Sequence, residues 1–224
     1  MRDHAAVLFE LRDVSLTRGE RRVLDSVSTA IPEGATAIVG PSGAGKSTLL
    51  RLLNRLVDPD EGAISYRDRP LDSYDPLPLR REVSLVPQLP ALLEGTVESN
   101  IAYAAKLAGK PVDPQRCLRL AGLDPGFAGR DVAELSVGER QRAMLGRALA
   151  QQPKVLLLDE PTSALDHATR GAIEATLTEL CGELEISIVL VSHDPEQARR
   201  LGHWVVRMEE GRATDSGPLA EVLA

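Results

Sequence analysis

The chain has 224 residues, of which 43% are hydrophobic and 26% charged, enough apolar material for a substantial core and too much for a disordered segment. Its 33 Asp and Glu outweigh 26 Lys and Arg, giving a formal charge of -7 and a pI near 5.2. No net basic field draws nucleic acid, so no nucleic-acid partner is expected.

The N-terminus, from Met1 to Glu10, carries early charge and no long apolar core before a cleavage site, so no signal peptide is expected. Segments around Val23-Leu24 and Val27-Ser28, broken at Gly19-Glu20 and Pro32-Glu33-Gly34, read as antiparallel strands and turns. Ala35 to Val39 forms a short apolar strand, Gly40 to Gly45 a glycine-rich loop, and Lys46 to Leu56 a helix with leucines at helical spacing.

From about Gln88 to Gln152 strand signals are weak and Ala, Leu and Arg are abundant, which predicts a mostly helical lobe with loops at Gly109-Lys110-Pro111 and Gly122 to Gly129. Strand and helix then alternate: Val155 to Leu158, a helix from about Asp166 to Cys181, Ile186 to Val191, and a helix over Pro195 to Leu201. A strand over Trp204 to Met208 and a turn at Glu210-Gly211 close the core, with no further C-terminal domain expected. Cys117 and Cys181 are far apart and in no metal-ligand spacing, as suits buried thiols in a reducing compartment. No stretch approaches the roughly 18 apolar residues of a spanning helix, so a partner would have to supply any membrane contact.

Gly40, Pro41, Ser42, Gly43, Ala44, Gly45, Lys46 and Ser47 fit the pattern GxxxxGK[ST], with Thr48 following. Glycines let successive N–H groups curl around phosphate oxygens, and the helix N-terminus adds the positive end of its dipole. Lys46 is the cation for the β- and γ-phosphates and Ser47 the hydroxyl for Mg²⁺, so ATP and Mg²⁺ are the expected ligands. The apolar run Val155 to Leu158 ends in Asp159 and Glu160, as a central parallel strand opening on a ligand crevice would. Asp159 would hold Mg²⁺, mostly through water, and Glu160 would polarise the water that attacks the γ-phosphate.

Leu135-Ser136-Val137-Gly138-Glu139-Arg140-Gln141-Arg142 resembles the LSGGQ signature and basic helix of the ABC (ATP-binding cassette) transporter ATPases. With Gln88, Ser163-Ala164-Leu165-Asp166 and His193, the ordered motif set of that family runs through essentially the whole chain. The resemblance implies an α/β fold: a P-loop NTPase core with a mostly parallel central sheet, an antiparallel β subdomain and an inserted helical lobe. It also implies one ABC ATPase domain over 1-224, with the core in 1-87 and 153-224 and the lobe, carrying the signature, in 88-152.

The resemblance further implies an ATPase that pairs head to tail into a homodimer on binding ATP and drives an integral membrane permease from the cytoplasmic face of the cell membrane. Ser136 and the Gly138 N–H would meet the γ-phosphate held by the other copy, at a helix N-terminus. Gln88 would sense the γ-phosphate or Mg²⁺, His193 would clamp the γ-phosphate, and Asp166 would couple the two sites. The apolar loop Leu89, Pro90, Leu92 and Leu93 would either receive a coupling helix of the permease or pack within the lobe.

Departures from the family pattern are also present. Val137 replaces a signature glycine, which excludes a positive φ there, and Glu139 replaces the glutamine with a carboxylate that suits a first helical turn. Similar signatures occur in small stand-alone ATPases resembling bacterial iron-export and plant aluminium-tolerance types, with phosphate and amino-acid importers as alternatives. Arg18 stands where an adenine-stacking aromatic is expected, and is either a guanidinium that stacks on the base or a solvated turn residue.

Overall fold

A computed structural model describes residues 6–162 and 167–222. The chain divides into two compact units, one made of Met1–Arg80 with Ser187–Ala224, the other of Arg81–Ile186.

In the first unit, β1 (Val7–Arg18) and β2 (Arg21–Pro32) form a long antiparallel hairpin that turns at Gly19-Glu20. Register shifts interrupt their pairing, with Asp13 and Ser26 both at positive φ, which marks bulges. β3 (Ala35–Val39) is buried along its whole length and leads into α1 (Lys46–Leu53), which buries Leu49, Leu50, Leu52 and Leu53. β4 (Glu61–Tyr66) and β5 (Arg69–Pro70) complete a sheet of order β2-β1-β4-β5. α2 (Pro76–Glu82) crosses from the first unit into the second.

The second unit contains β6 (Val83–Val86), α3 (Val97–Ala108), α4 (Pro114–Leu120), α5 (Val137–Leu149), β7 (Val155–Asp159) and α6 (His167–Glu183). β6 pairs with β7 in parallel. A core that includes Val97, Ile101, Cys117, Leu118, Leu135 and Ala143 joins α3, α4 and α5.

The chain then returns to the first unit through β8 (Ser187–Ser192), α7 (Pro195–Leu201), β9 (Trp204–Glu209), β10 (Arg212–Pro218) and α8 (Leu219–Val222). β3 lies between β8 and β9, parallel to both, and β10 adds to β9 antiparallel. Both β3 and β8 are buried throughout, the pattern of strands covered on two faces.

One boundary differs from the expected helix over Lys46 to Leu56: α1 stops at Leu53. Arg55 takes a positive φ of 56° and its guanidinium donates to the carbonyls of Asp72 and Tyr74 at 2.9 and 2.7 Å, while Leu56 is left 48% exposed. A side chain anchored away from the helix axis outweighs the leucine periodicity. Sequence reasoning places no element between Leu56 and Gln88, where β4, β5, α2 and β6 lie, and does not anticipate β10.

Candidate functional site

In the first unit the glycine-rich segment joins the buried end of β3 to α1. Gly40 has φ +146°, and a Cβ there would stand 2.0 Å from the carbonyl oxygen of Met208. At Gly45, with φ +96°, a Cβ would meet Leu24 Cδ2 at 2.7 Å and the Val23 carbonyl oxygen at 2.9 Å. Only glycine lets the backbone run this close to its neighbours.

Gly45 caps α1 with no side-chain hydrogen bond, and the first turn holds no acidic residue. Gly45 thus brings no capping side chain to the start of α1, and a helix N-terminus opened by glycine suits an anion. Lys46 is only 6% exposed, and its Nζ donates to the carbonyls of Gly40 and Pro41 at 2.7 and 2.8 Å. Ala44 and Gly45 are buried, Ser47 and Thr48 partly buried, and Pro41, Ser42 and Gly43 exposed. This set fits a polyphosphate.

Arg18 lies exposed at the end of β1, directly opposite Arg21 across the hairpin. The Arg21 guanidinium, not that of Arg18, donates to the carbonyl of Gly43, at 3.3 Å. His193 is exposed just beyond β8. The neighbouring turn is fixed: the Asp194 N–H donates to Ser192 Oγ at 3.0 Å, and Asp194 caps α7 by accepting from the Glu196 N–H at 2.9 Å.

In the second unit Asp159 is the last residue of β7 and is 5% exposed. Glu160 follows at φ 49°, a left-handed conformation that costs a non-glycine residue about 1–3 kcal/mol and concentrates at functional sites. Gln88 Nε2 donates to Glu160 Oε2 at 3.0 Å, so side chains 72 residues apart in sequence converge at the mouth of β7. Leu89 and Leu93 are 81% and 47% exposed, whereas Leu92 packs against the helical core. Asn100, 1% exposed, holds that loop by accepting from the Leu93 N–H at 2.8 Å and donating to the Leu93 carbonyl at 2.9 Å.

Ser136 caps α5, whose first turn holds Val137 and Gly138. The Glu139 N–H donates to Ser136 Oγ at 3.3 Å, and the Ser136 N–H donates to the Glu139 carboxylate at 2.7 Å, a reciprocal capping box. Hydrogen bonds to its carboxylate, from the Ser136 hydroxyl first and the Ser136 N–H second, hold the Glu139 carboxyl below its ordinary range. Val137 is helical and 53% exposed, so the valine meets no demand for a positive φ. Gln141, 5% exposed, donates to the carbonyl of Pro87, the residue before Gln88, at 3.3 Å. Ser163-Ala164-Leu165-Asp166 lies outside the described residues.

Sequence reasoning missed the contacts of Arg21 and Gln141, which no local pattern announces. Sequence reasoning placed Glu139 in a first helical turn without pairing it with Ser136, although the S-x-x-E spacing could have found the capping box.

The family model described as ABC transporter matches residues 24–163. The chain belongs to the ABC transporter family.

Relatives of this ABC cassette include Protein STAR1 of Oryza sativa subsp. japonica, 42% identical over 93% of the chain and 61% of the rice protein. ABC transporter I family member 17 of Arabidopsis thaliana is 41% identical over 87% of the chain and 75% of its own length. Methionine import ATP-binding protein MetN of Brucella abortus (strain 2308) is 37% identical over 98% of the chain and 62% of the Brucella protein. The chain thus spans less than two thirds of the STAR1 and MetN relatives.

Among solved structures, the dimeric post-hydrolysis state of the ATP-binding cassette MJ0796 bound to ADP and Pi has a TM-score of 0.84 and 29% identity, covering 95% of this chain and 99% of that one. A bacterial Atm1-family ABC exporter with ATP bound has a TM-score of 0.87 and 28% identity, covering 100% of this chain and 41% of the exporter. The fold is that of the ABC P-loop ATPases, with parallel strands and a separate antiparallel sheet. Among the described residues no helix is long and apolar enough to cross a membrane.

Proposed function

We propose that this cassette binds ATP with Mg²⁺ and hydrolyses it in a head-to-tail homodimer, driving solute transport by an integral membrane permease at the cytoplasmic face of the cell membrane. Gly40 to Thr48 cradle the phosphates, and Lys46 exchanges its contacts with the loop carbonyls for phosphate oxygens. Mg²⁺ is typically held through one or two carboxylates plus substrate phosphates, a donor set that Asp159, Ser47 and Gln88 can complete, and when bound it neutralises charge developing on the phosphoryl oxygens.

Glu160 accepts a proton from the attacking water, with Gln88 orienting its carboxylate through the 3.0 Å hydrogen bond. His193 steadies the γ-phosphate, Ser136 and the Gly138 N–H face the nucleotide of the other copy, Asp166 couples the two sites, and Arg18 lies against the base. Residues 88-152 act as the helical lobe, and 1-87 with 153-224 as the catalytic core. The exposed Leu89 and Leu93, on a loop pinned by Asn100, form the surface for the permease. A relative named as a methionine importer and a neighbour titled as an exporter resemble the chain alike, so the cassette scaffold is common to both transport directions.

The observation that carries this reading is the convergence of Gln88 on Glu160 at the end of a wholly buried strand. Glu160→Gln should leave ATP binding nearly intact and lower turnover by about 10²–10⁴-fold, the range for general-base catalysis, while an ATP-bound dimer accumulates. Near-normal steady-state hydrolysis at saturating ATP and Mg²⁺ would remove Glu160 from that role. Lys46→Ala should lose nucleotide affinity, measured by calorimetry.

A further inference from the structure

The turn between β1 and β2 carries Arg18, Arg21 and Arg22, whose electrostatic situations differ. Arg22 is neutralised: its guanidinium pairs with Asp25 at 3.0 Å and Glu61 at 2.9 Å. Arg18 and Arg21 are Cα partners across the hairpin, and among the described residues neither has a carboxylate partner, the intervening Glu20 included. Like charges directly opposite on a hairpin repel, a cost that an anion between or beside them removes.

The second observation is where this uncompensated charge sits. Arg21 donates to the carbonyl of Gly43 at 3.3 Å, and a Cβ added at Gly43 would lie 3.7 Å from the same guanidinium nitrogen. Gly43 is an exposed residue of the glycine loop, at φ +79°, on the loop that is itself shaped for phosphate. A guanidinium has five donors in a planar fork, so one bond to a carbonyl leaves the others to reach an anion in the same loop.

We propose that Arg21 is a nucleotide-binding residue that contacts the polyphosphate, with Arg18 as a supporting charge, so that this cassette holds its nucleotide at the hairpin by charge more than by the identity of the base. The proposal rests on the ATP-binding reading of the glycine loop. A phosphate contact is blind to the base, and an arginine lying against a base is nearly so, because every base offers a π-face. ATP and GTP therefore bind with similar affinity, and salt weakens both.

The test is isothermal calorimetry of ATP, ADP and GTP on the full chain and on Arg21→Ala, Arg21→Lys and Arg18→Ala, at two salt concentrations, with Lys46→Ala as the control for the loop. Arg21→Ala should weaken all three nucleotides by about tenfold, the low end for hydrogen bonds to charged groups. Arg21→Lys should recover part of the loss, Arg18→Ala should lose less, and the Arg21→Ala deficit should shrink at high salt. Because Arg21 is exposed, the variants should keep the parent's circular dichroism and melting temperature. Unchanged affinity in Arg21→Ala alongside lost affinity in Lys46→Ala would overturn the proposal and leave the phosphate loop standing. Unchanged affinity in both would remove the loop reading itself. A loss for ATP that spares GTP would also overturn it, since Arg21 would then be reading the base.

Discussion

Ser136 shows how one side chain can hold two duties that a single substitution confounds. Its Oγ accepts from the Glu139 N–H, which satisfies an opening donor of α5, and its hydroxyl also serves the Glu139 carboxylate, from which a phosphate of the other copy would have to draw it. Ser136→Ala should cost about 1 kcal/mol of stability, the usual loss of an N-cap, as well as the contact across the proposed dimer. Ser136→Asp separates the two effects, because aspartate caps as well as serine but sets a negative charge against the γ-phosphate of the other copy. Stability should stay within a few tenths of a kcal/mol of the parent, while ATP-driven dimerisation in the Glu160→Gln background, followed by light scattering, should be lost. An undiminished dimer would contradict the composite site. The capping box also has a pH signature. The depressed Glu139 carboxyl contributes stability above the ordinary carboxylate range and loses it as pH falls through its lowered value.

At the scale of elements, legibility followed burial. β3, β7 and β8 are buried end to end and stand out as apolar runs, and α7 runs over Pro195–Leu201 as expected, with Asp194 found to cap it. β10 buries only Gly217, and β4 only Ile64 and Tyr66, so neither carries the alternation that announces a strand. The end of α1 depended on the distant carbonyls of Asp72 and Tyr74, which no window around Leu53 contains. The phosphate loop, Asp159, Glu160 and the signature were legible as motifs, whereas Arg21 and Gln141 act through contacts made only once the chain has folded.

The thiols behave as their burial dictates. In α4, Cys117 is 6% exposed, and burial, reinforced by Asp113, pushes its thiol from 9.0 up to about 11; burial does the same to Cys181. A thiol whose folded value is raised contributes stability below about pH 9, lost as pH rises through about 11. The urea midpoint should therefore fall between pH 8 and pH 10, and fall less in Cys117→Ala. At pH 8 the native chain should react with a thiol reagent far more slowly than the chain in urea, and equal rates would contradict the buried thiol.

For the whole molecule, the exposed loop after Gln88 and the helix that begins at Ser136 belong to the same compact unit and are fastened by the bond from Gln141 to the Pro87 carbonyl. If that bond carries coupling between the two surfaces, they answer to a single equilibrium. Thermodynamic reciprocity then fixes a quantity: by whatever factor a membrane partner on the loop changes the dimerisation constant, dimerisation must change the affinity for that partner by the same factor. Gln141→Leu should bring the factor towards one while ATP binding by the monomer stays as it was. The measurement is the dimer constant in the Glu160→Gln background, with and without the co-purified partner in detergent. The same factor in Gln141→Leu as in its parent would mean that the two surfaces communicate by another route.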